Sequence, residues 1–291
     1  MTKQKTDVFT PFTKDDKRVF LNDYLIHLQR RNGAPDLAAR LFSVREEFFH
    51  DLEQHPVRRS GLPVVDPLLF ERNEKRYRPE SGLDEATLWT LAVAKTNRAE
   101  RDGVEYALAR IDPTTRKADN PMTYIEIEEF YHTRILKDVL DVVGLEMQYF
   151  PPPTMTQFLT HSMYYIPKSI SNLLILCSEV VGVAGFRLLG EKAHELFSDQ
   201  PKSLQRIDQL FQQILVDEVG HVHYARSQLG PARLKIAKKM LPLVTRYLLH
   251  DIPEFELLFG REKIIETVFD LDVDSAVREY SDHFVPSYTY S

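Results

Sequence analysis

The segment that decides the fold is ILVDEVGHVHYA, residues 214–225. It contains Glu218 and His221, which are three positions apart, so on a helix both side chains lie on one face and can reach the same metal ion. Their helical neighbours are apolar: Ile214, Leu215, Val222 and Ala225. A carboxylate and an imidazole in an apolar interior are costly unless they are paired or bound to metal. The segment therefore predicts a helix with a metal-binding face.

A second segment, IEEFYHTRIL at 127–136, repeats the pattern with Glu129 and His132, and it is apolar around that pair. The chain contains two more Glu-x-x-His pairs, Glu47/His50 and Glu191/His194. The neighbours of these other pairs are mostly polar, which is typical of a solvated helix surface. Only the pairs in apolar surroundings are predicted to bind metal.

An acidic residue directly precedes each of the two apolar motifs, Glu128 in one and Asp217 in the other. A metal-bound histidine usually donates its second ring N–H to a carboxylate. In a bundle, we expect Asp217 to serve His132 and Glu128 to serve His221.

A site for two metal ions in a helical bundle needs one more glutamate from each of two further helices. Glu179 lies in the apolar segment LLILCSEVVGVAGF, where an unpaired carboxylate would be strongly disfavoured. Glu100 lies on a small and apolar face of the preceding long helix, and Glu105 is its competitor for the same role. The predicted metal ligands are Glu100, Glu129, His132, Glu179, Glu218 and His221.

This order of acids and Glu-x-x-His motifs, with EEFYH and DEVGH as its core, resembles the ferritin-like superfamily of non-haem di-iron carboxylate proteins over roughly residues 83–228. Within the superfamily it is most similar to the p-aminobenzoate N-oxygenase-like di-iron oxygenases. That group carries an additional histidine ligand one turn before the last motif, where this chain has Ile214.

The resemblance implies an all-α fold, a ferritin-like four-helix bundle with additional N- and C-terminal helices. It also implies two iron ions, with manganese as the second choice, since both accept mixed nitrogen and oxygen ligands. The expected partners are O2, a small organic substrate and a separate electron-donor protein or reductase, because the sequence has no flavin or nicotinamide fingerprint.

Hydrophobic periodicity predicts an almost entirely helical chain. The predicted helices are 14–32, 35–55 with Pro35 in its first turn, 83–111, 122–143, 168–189, 203–228 and one or two more as far as about 268. Residues 56–82 are predicted to be a connector. The predicted organisation is an N-terminal extension at 1–82, a di-metal bundle at 83–230, and C-terminal helices with a tail at 231–291 in the same domain. His223 points to another side of its helix and is predicted to lie near the site or at the surface.

Composition narrows the environment of the protein. The net charge is −6 without a dense basic block, which disfavours nucleic acid and anionic membrane as partners. Cys177 is the only cysteine, and neither a secretory signal nor a membrane span is evident in the sequence. These features predict a cytoplasmic protein. The oligomeric state stays open, with a homodimer as one option.

Three classes of function remain after these observations. The first is an oxygenase that hydroxylates or N-oxygenates its substrate, with a soluble desaturase or another hydrogen-abstracting oxidase as its closest alternative. The second is a ferritin-like protein that handles iron or manganese. The third is a structural bundle whose buried acids form ion networks without metal. The chain is long for a storage bundle, and helices outside the core would serve as walls of a substrate pocket.

Overall fold

The computed structural model describes residues 7–59, 65–110, 117–163, 165–278 and 288. This part of the chain is all-α apart from one short antiparallel pair of strands. The helices within the described residues are α1 Lys14–Asn32, α2 Ser43–Gln54, α3 Pro67–Glu74, α4 Glu85–Arg110, α5 Pro121–Val142, α6 Thr154–Ser162, α7 Lys168–Leu196, α8 Pro201–Ser227, α9 Pro231–Asp251, α10 Pro253–Phe259, α11 Arg261–Asp270 and α12 Ser275–Arg278. The strands are β1 Pro35–Asp36 and β2 Leu41–Phe42.

Side-chain caps and prolines set several helix starts. The side chain of Asn120 accepts a hydrogen bond from the backbone N–H of Met122, and Pro121 occupies the first turn of α5. Proline suits that position because the first N–H groups of a helix have no partner inside the helix. Helices α8 and α9 also begin with proline, at Pro201 and Pro231. Both helices that carry a motif, α5 and α8, thus begin at a proline, a residue that favours a helix start.

Four long helices pack against one another in a cycle: α4 on α5, α5 on α8, α8 on α7 and α7 on α4. Helix α7 also packs on α9. Trp89 Nε1 donates to the carbonyl of Leu189 at 2.9 Å, and Lys192 lies 3.4 Å from Glu85. These two contacts show that α4 and α7 run antiparallel. The all-α fold is confirmed, whereas the ferritin-like assignment of these four helices stays a prediction.

The predicted helix at 35–55 is wrong in its first part. Residues Pro35–Asp36 and Leu41–Phe42 form a hairpin, and α2 begins only at Ser43. Asp36 Oδ1 accepts from the backbone N–H groups of Ala38 and Ala39, which stabilises a turn in place of a helix. Phe42 is fully buried and stacks on aromatic rings of α5, so burial of this side chain reinforces the turn.

The connector and crossover segments contain helices that the sequence did not predict. Helix α3 lies within the predicted connector at 56–82, and α6 precedes α7. Helix α7 continues to Leu196, beyond its predicted end at 189. By length and composition, α7 is long and apolar enough to cross a membrane. However, 67% of its most apolar window is buried inside the protein, and core helices of soluble proteins meet the same criterion. The proposed domain boundaries remain a prediction.

The C-terminal region packs on the helix of the last motif. His223 is buried and its Nε2 lies 2.8 Å from Asp274 Oδ1, so it is not a surface residue. Tyr288 packs edge-on against Phe20 and Tyr24 of α1. Most of the predicted tail lies outside the described residues.

Candidate metal centre

Glu129 lies between the two histidines of the motifs. Its Oε1 is 2.8 Å from His221 Nδ1, and its Oε2 is 3.5 Å from His132 Nδ1. Glu218 Oε1 approaches His132 Nδ1 at 3.3 Å, and Glu179 Oε2 approaches His221 Nδ1 at 3.9 Å. The two motifs therefore face each other across the interface of α5 and α8, and α7 adds a third acid.

The ligand atoms form two overlapping groups. One group consists of Glu129, Glu179, Glu218 and His221, and the other of Glu100, Glu129 and His132, with atoms in each group within 4.8 Å of one another. Glu129 belongs to both groups and presents a different oxygen to each histidine. The structure thus brings together all six residues of the predicted set as two adjacent groups that could hold metal. Their role as ligands stays a prediction.

Glu100 and Glu105 differ clearly in their surroundings. Glu100 joins the group with Glu129 and His132. Glu105 is exposed and pairs with Arg101 at 2.7 Å. Of the two candidates on α4, only Glu100 is placed to contribute to the cluster.

The histidines of the two rejected motifs lie away from the cluster. Glu47 and His50 are exposed on α2. Glu191 and His194 are exposed near the end of α7, where His194 Nε2 lies 2.8 Å from Asp208. Neither pair belongs to the two groups of potential ligands.

The outer nitrogens of the two motif histidines make the crossed contacts that the sequence suggested. His132 Nε2 lies 3.2 Å from Asp217 Oδ2, and His221 Nε2 lies 3.1 Å from Glu128 Oε2. An ionised carboxylate only accepts hydrogen bonds, so these contacts assign a proton to Nε2 of each imidazole. Each Nδ1 is then directed towards the cluster.

Three atoms that face the cluster make no hydrogen bond. Among the described residues, His132 Nδ1, His221 Nδ1 and Glu218 Oε2 are buried and make no hydrogen bond. Both nitrogens nevertheless lie close to carboxylate oxygens. Buried polar atoms are normally satisfied, and a cation between the nitrogens and the oxygens would satisfy these. The donor set therefore fits a pair of metal ions.

The raised pKa values of Glu100 and Glu179 also favour a bound cation. Burial, together with repulsion by Glu129 and Glu218, raises the pKa of Glu100 well above its usual value. Burial and the charges of Glu218 and Glu129 do the same to the pKa of Glu179. These two carboxyls lack sufficient positive charge and favour the protonated form without metal.

The pKa values of the two imidazoles are also raised. Burial alone would lower the pKa of His132, but the hydrogen bond with Asp217 and nearby glutamates raises it well above its usual value. Burial would likewise lower the pKa of His221, but Glu129 and Glu128 raise it. Without metal, protons therefore supply positive charge to the cluster.

Sequence reasoning missed the residues that support Asp217 and Glu128. Arg31 Nε donates to Asp217 Oδ1 at 2.7 Å, and Arg45 Nη2 donates to the same atom at 2.6 Å. Asn32 Nδ2 donates to Glu128 Oε1 at 2.7 Å. These residues come from α1 and α2, far away in sequence; the charge of Arg31 and Arg45 within predicted amphipathic helices is the only signal that could have drawn attention to them, and the neutral Asn32 gave none.

Two acids of the cluster are not fully buried. The side chains of Glu129 and Glu179 are 18% and 17% exposed, whereas His132 is 0% and His221 1% exposed. Glu179 is thus less enclosed than its apolar sequence neighbours suggest, and Gly182, one turn away, is also half-buried. These acids of α5 and α7 are therefore partly accessible to solvent, whereas the two histidines are not.

Comparisons of the chain with protein-family models, with curated proteins and with solved structures gave no significant match.

Proposed function

We propose that this chain is a non-haem di-iron oxygenase that activates O2 and hydroxylates or N-oxygenates a small organic substrate. The observation that carries the proposal is that six potential ligands converge and that the buried Nδ1 atoms of the two histidines make no hydrogen bond; the six are Glu100, Glu129, His132, Glu179, Glu218 and His221.

Charge balance supports two divalent ions. The acids of this region are Glu100, Glu128, Glu129, Glu179, Asp217 and Glu218. Two arginines, Arg31 and Arg45, offset two of these six negative charges, which leaves four when both imidazoles are neutral. Two divalent cations would neutralise that remainder, and a buried charge is stable only when it is compensated.

The residues have distinct tasks in this proposal. Glu129 would contribute to both ion positions, since it belongs to both groups of potential ligands. Glu100 and His132 would hold one ion, and Glu179 and His221 would hold the other. Glu218 lies near both, since its Oε1 approaches His132 and it groups with His221. Iron suits the mixed oxygen and nitrogen donors, with manganese as second choice.

When bound, a pair of iron ions supplies the reduction of O2 and the oxidation of substrate. The protein would hold the ions and keep the imidazole protons on Nε2. O2 and the substrate would approach beside the partly exposed Glu129 and Glu179. Electrons would come from a separate donor protein, since the chain has no flavin or nicotinamide fingerprint.

The test begins with protein stripped of metal and loaded anaerobically with Fe(II), or with Mn(II) in parallel. Elemental analysis should give two ions per chain. His50→Ala and His194→Ala serve as controls and should retain both ions, because these side chains are exposed. A folded wild type that binds no ion would favour the metal-free structural bundle.

Turnover distinguishes the remaining classes. The Fe(II)-loaded protein, with a chemical reductant and O2, is incubated with arylamines and with aromatic and aliphatic acids. A product heavier by one oxygen atom supports the proposal. A product that has lost two hydrogens indicates the desaturase alternative. Rapid O2 consumption with accumulation of ferric iron and no organic product indicates an iron-handling protein.

A further inference from the structure

We infer that Arg45, in α2, couples the two ion positions by holding both acids that orient the metal-facing histidines. The inference rests on the proposed di-metal function. Arg45 is a positioning residue, since it touches Asp217 and lies near Glu128 but does not reach the predicted ligands.

The contact with Asp217 concerns the ion position beside His132. Arg45 Nη2 donates to Asp217 Oδ1 and Oδ2 at 2.6 and 2.7 Å. Asp217 Oδ2 in turn accepts from His132 Nε2 at 3.2 Å. Arg31 Nε adds a second contact to Asp217 at 2.7 Å. Two guanidinium groups therefore hold this carboxylate in the position that orients His132.

The contact with Glu128 concerns the ion position beside His221. Arg45 Nε donates to Asn32 Oδ1 at 2.8 Å, and Asn32 Nδ2 donates to Glu128 Oε1 at 2.7 Å. Arg45 Nη2 also lies 3.7 Å from Glu128 Oε1. Glu128 Oε2 accepts from His221 Nε2 at 3.1 Å. One guanidinium group thus reaches His132 through Asp217, and it reaches His221 through Asn32 and Glu128.

Gln213 of α8 ties the two arginines together. Its Oε1 accepts from Arg45 Nη1 at 2.8 Å and from Arg31 Nη2 at 3.0 Å, and its carbonyl accepts from Arg31 at 2.9 Å. The amide therefore leaves the guanidinium groups little freedom to turn away from the acids.

Burial gives these contacts their effect. Arg45 is 2% exposed, and Asn32, Glu128 and His132 are fully buried. In such surroundings water cannot replace a lost hydrogen bond, so an acid without its partner would shift and its histidine would turn with it. Outer-sphere partners of this kind typically change metal affinity by about 10–100-fold.

The network predicts a graded pattern in three variants. Arg31→Gln should weaken only the ion beside His132, because Arg31 contacts Asp217 but not Glu128. Asn32→Ala should weaken mainly the ion beside His221. Arg45→Gln should weaken both ions, each by about 10–100-fold. Arg45→Lys keeps the charge but cannot contact Asp217 and Asn32 at once, so it should restore only part of the affinity.

The measurement is a Co(II) titration of the metal-free protein, read by ligand-field absorption and by competition with a chromogenic chelator. It reports two binding steps and does not depend on turnover. Arg134→Gln is the matched control, because Arg134 also links α2 to α5, through Glu46 at 3.2 Å, but lies outside the network. It should leave both steps unchanged, and a thermal melt of each variant verifies folding.

The outcomes distinguish failure of the Arg45 inference from failure of the proposed function. A folded Arg45→Gln protein with two unchanged binding steps overturns the inference while the proposed function stands. An equal loss in Arg134→Gln also overturns it, since the effect would then come from docking of α2. A wild type without any Co(II) or Fe(II) binding overturns both the proposed function and the inference.

Discussion

His132 in α5 hydrogen-bonds Asp217 in α8, with 3.2 Å between Nε2 and Oδ2. The reciprocal contact joins His221 in α8 to Glu128 in α5 at 3.1 Å. Each motif therefore supplies the acid that orients the histidine of the other motif. These reciprocal contacts favour one register of α5 against α8, and a shift of either helix along the other would disturb both imidazoles.

The first prediction concerns the stability that Asp217 provides. Asp217→Asn would leave Arg31 and Arg45 buried beside a neutral amide, so the free energy of unfolding should fall by about 3–5 kcal/mol. Denaturant unfolding measures it. The control is Glu46→Gln, which breaks a partly exposed pair with Arg134 and should cost about 0–1 kcal/mol. Equal losses in the two variants would contradict this account.

The pH dependence of that contribution follows from the pKa of Asp217. Burial alone would raise this pKa, but Arg31 and Arg45 hold it well below the usual value. A lowered pKa in the folded state means that the stabilisation is complete above the pKa of the unfolded chain, about 3.9, and disappears as the pH falls towards the folded-state value. The difference between wild type and Asp217→Asn should therefore be constant near neutral pH and shrink in acid.

The second prediction concerns protons displaced by metal. Because Glu100 and Glu179 have raised pKa values, they keep protons in the metal-free protein to higher pH than ordinary glutamates. Metal must displace these protons, so affinity should rise with pH, by about tenfold per unit for each proton released. Titrations between pH 6 and 8 with a pH indicator measure both quantities. A pH-independent affinity without proton release would count against the cluster as the binding site.

The third prediction concerns Glu179→Leu. In the metal-free protein the raised pKa of Glu179 means that its ionisation opposes folding as the pH rises through that pKa. Replacement by leucine should therefore leave the metal-free protein at least as stable at neutral pH, with a gain of about 1 kcal/mol, and should strongly weaken the ion beside His221. Thermal melts and metal titrations test both parts, with Glu105→Leu as an exposed control on α4. A marked loss of stability with intact metal binding would identify Glu179 as a structural residue.

The fourth prediction compares two glycines near the cluster. A Cβ on Gly220 would lie 2.6 Å from Cε2 of Tyr24, which is buried, so Gly220→Ala should destabilise the protein by about 1–3 kcal/mol. At Gly182 the nearest atom would be Glu218 Oε2 at 3.6 Å, an ordinary contact. Gly182→Ala should therefore be neutral or stabilise the helix by about 0.5–1 kcal/mol.

Chemical denaturation measures both glycine variants. The double variant Gly220→Ala/Tyr24→Ala isolates the clash, since removal of the ring should make the added methyl group harmless and the two effects non-additive. Strict additivity would show that Gly220 is needed for another reason.

The sequence alone was sufficient to find Glu129 with His132 and Glu218 with His221, because helical spacing places each pair on one face and their apolar neighbours predict burial. It also predicted the acids at Glu128 and Asp217 as partners of these histidines. The all-α character followed from periodicity. These features depend on residues within a turn or two of each other, so local patterns contain the information.

Other features depend on packing between distant segments. The contact of Arg31 with Asp217 joins residues 186 positions apart, and Arg45 reaches the same carboxylate from α2. A local sequence pattern cannot predict such a contact, because an arginine that will be buried and one that will be exposed can occupy the same positions of an amphipathic helix. The hairpin at 35–42 was missed since Pro35 suits a helix start equally well; in the structure Asp36 caps a turn there, and burial of Phe42 reinforces that turn. The partial exposure of Glu179 likewise depends on how closely neighbouring helices approach, which only the assembled tertiary structure determines.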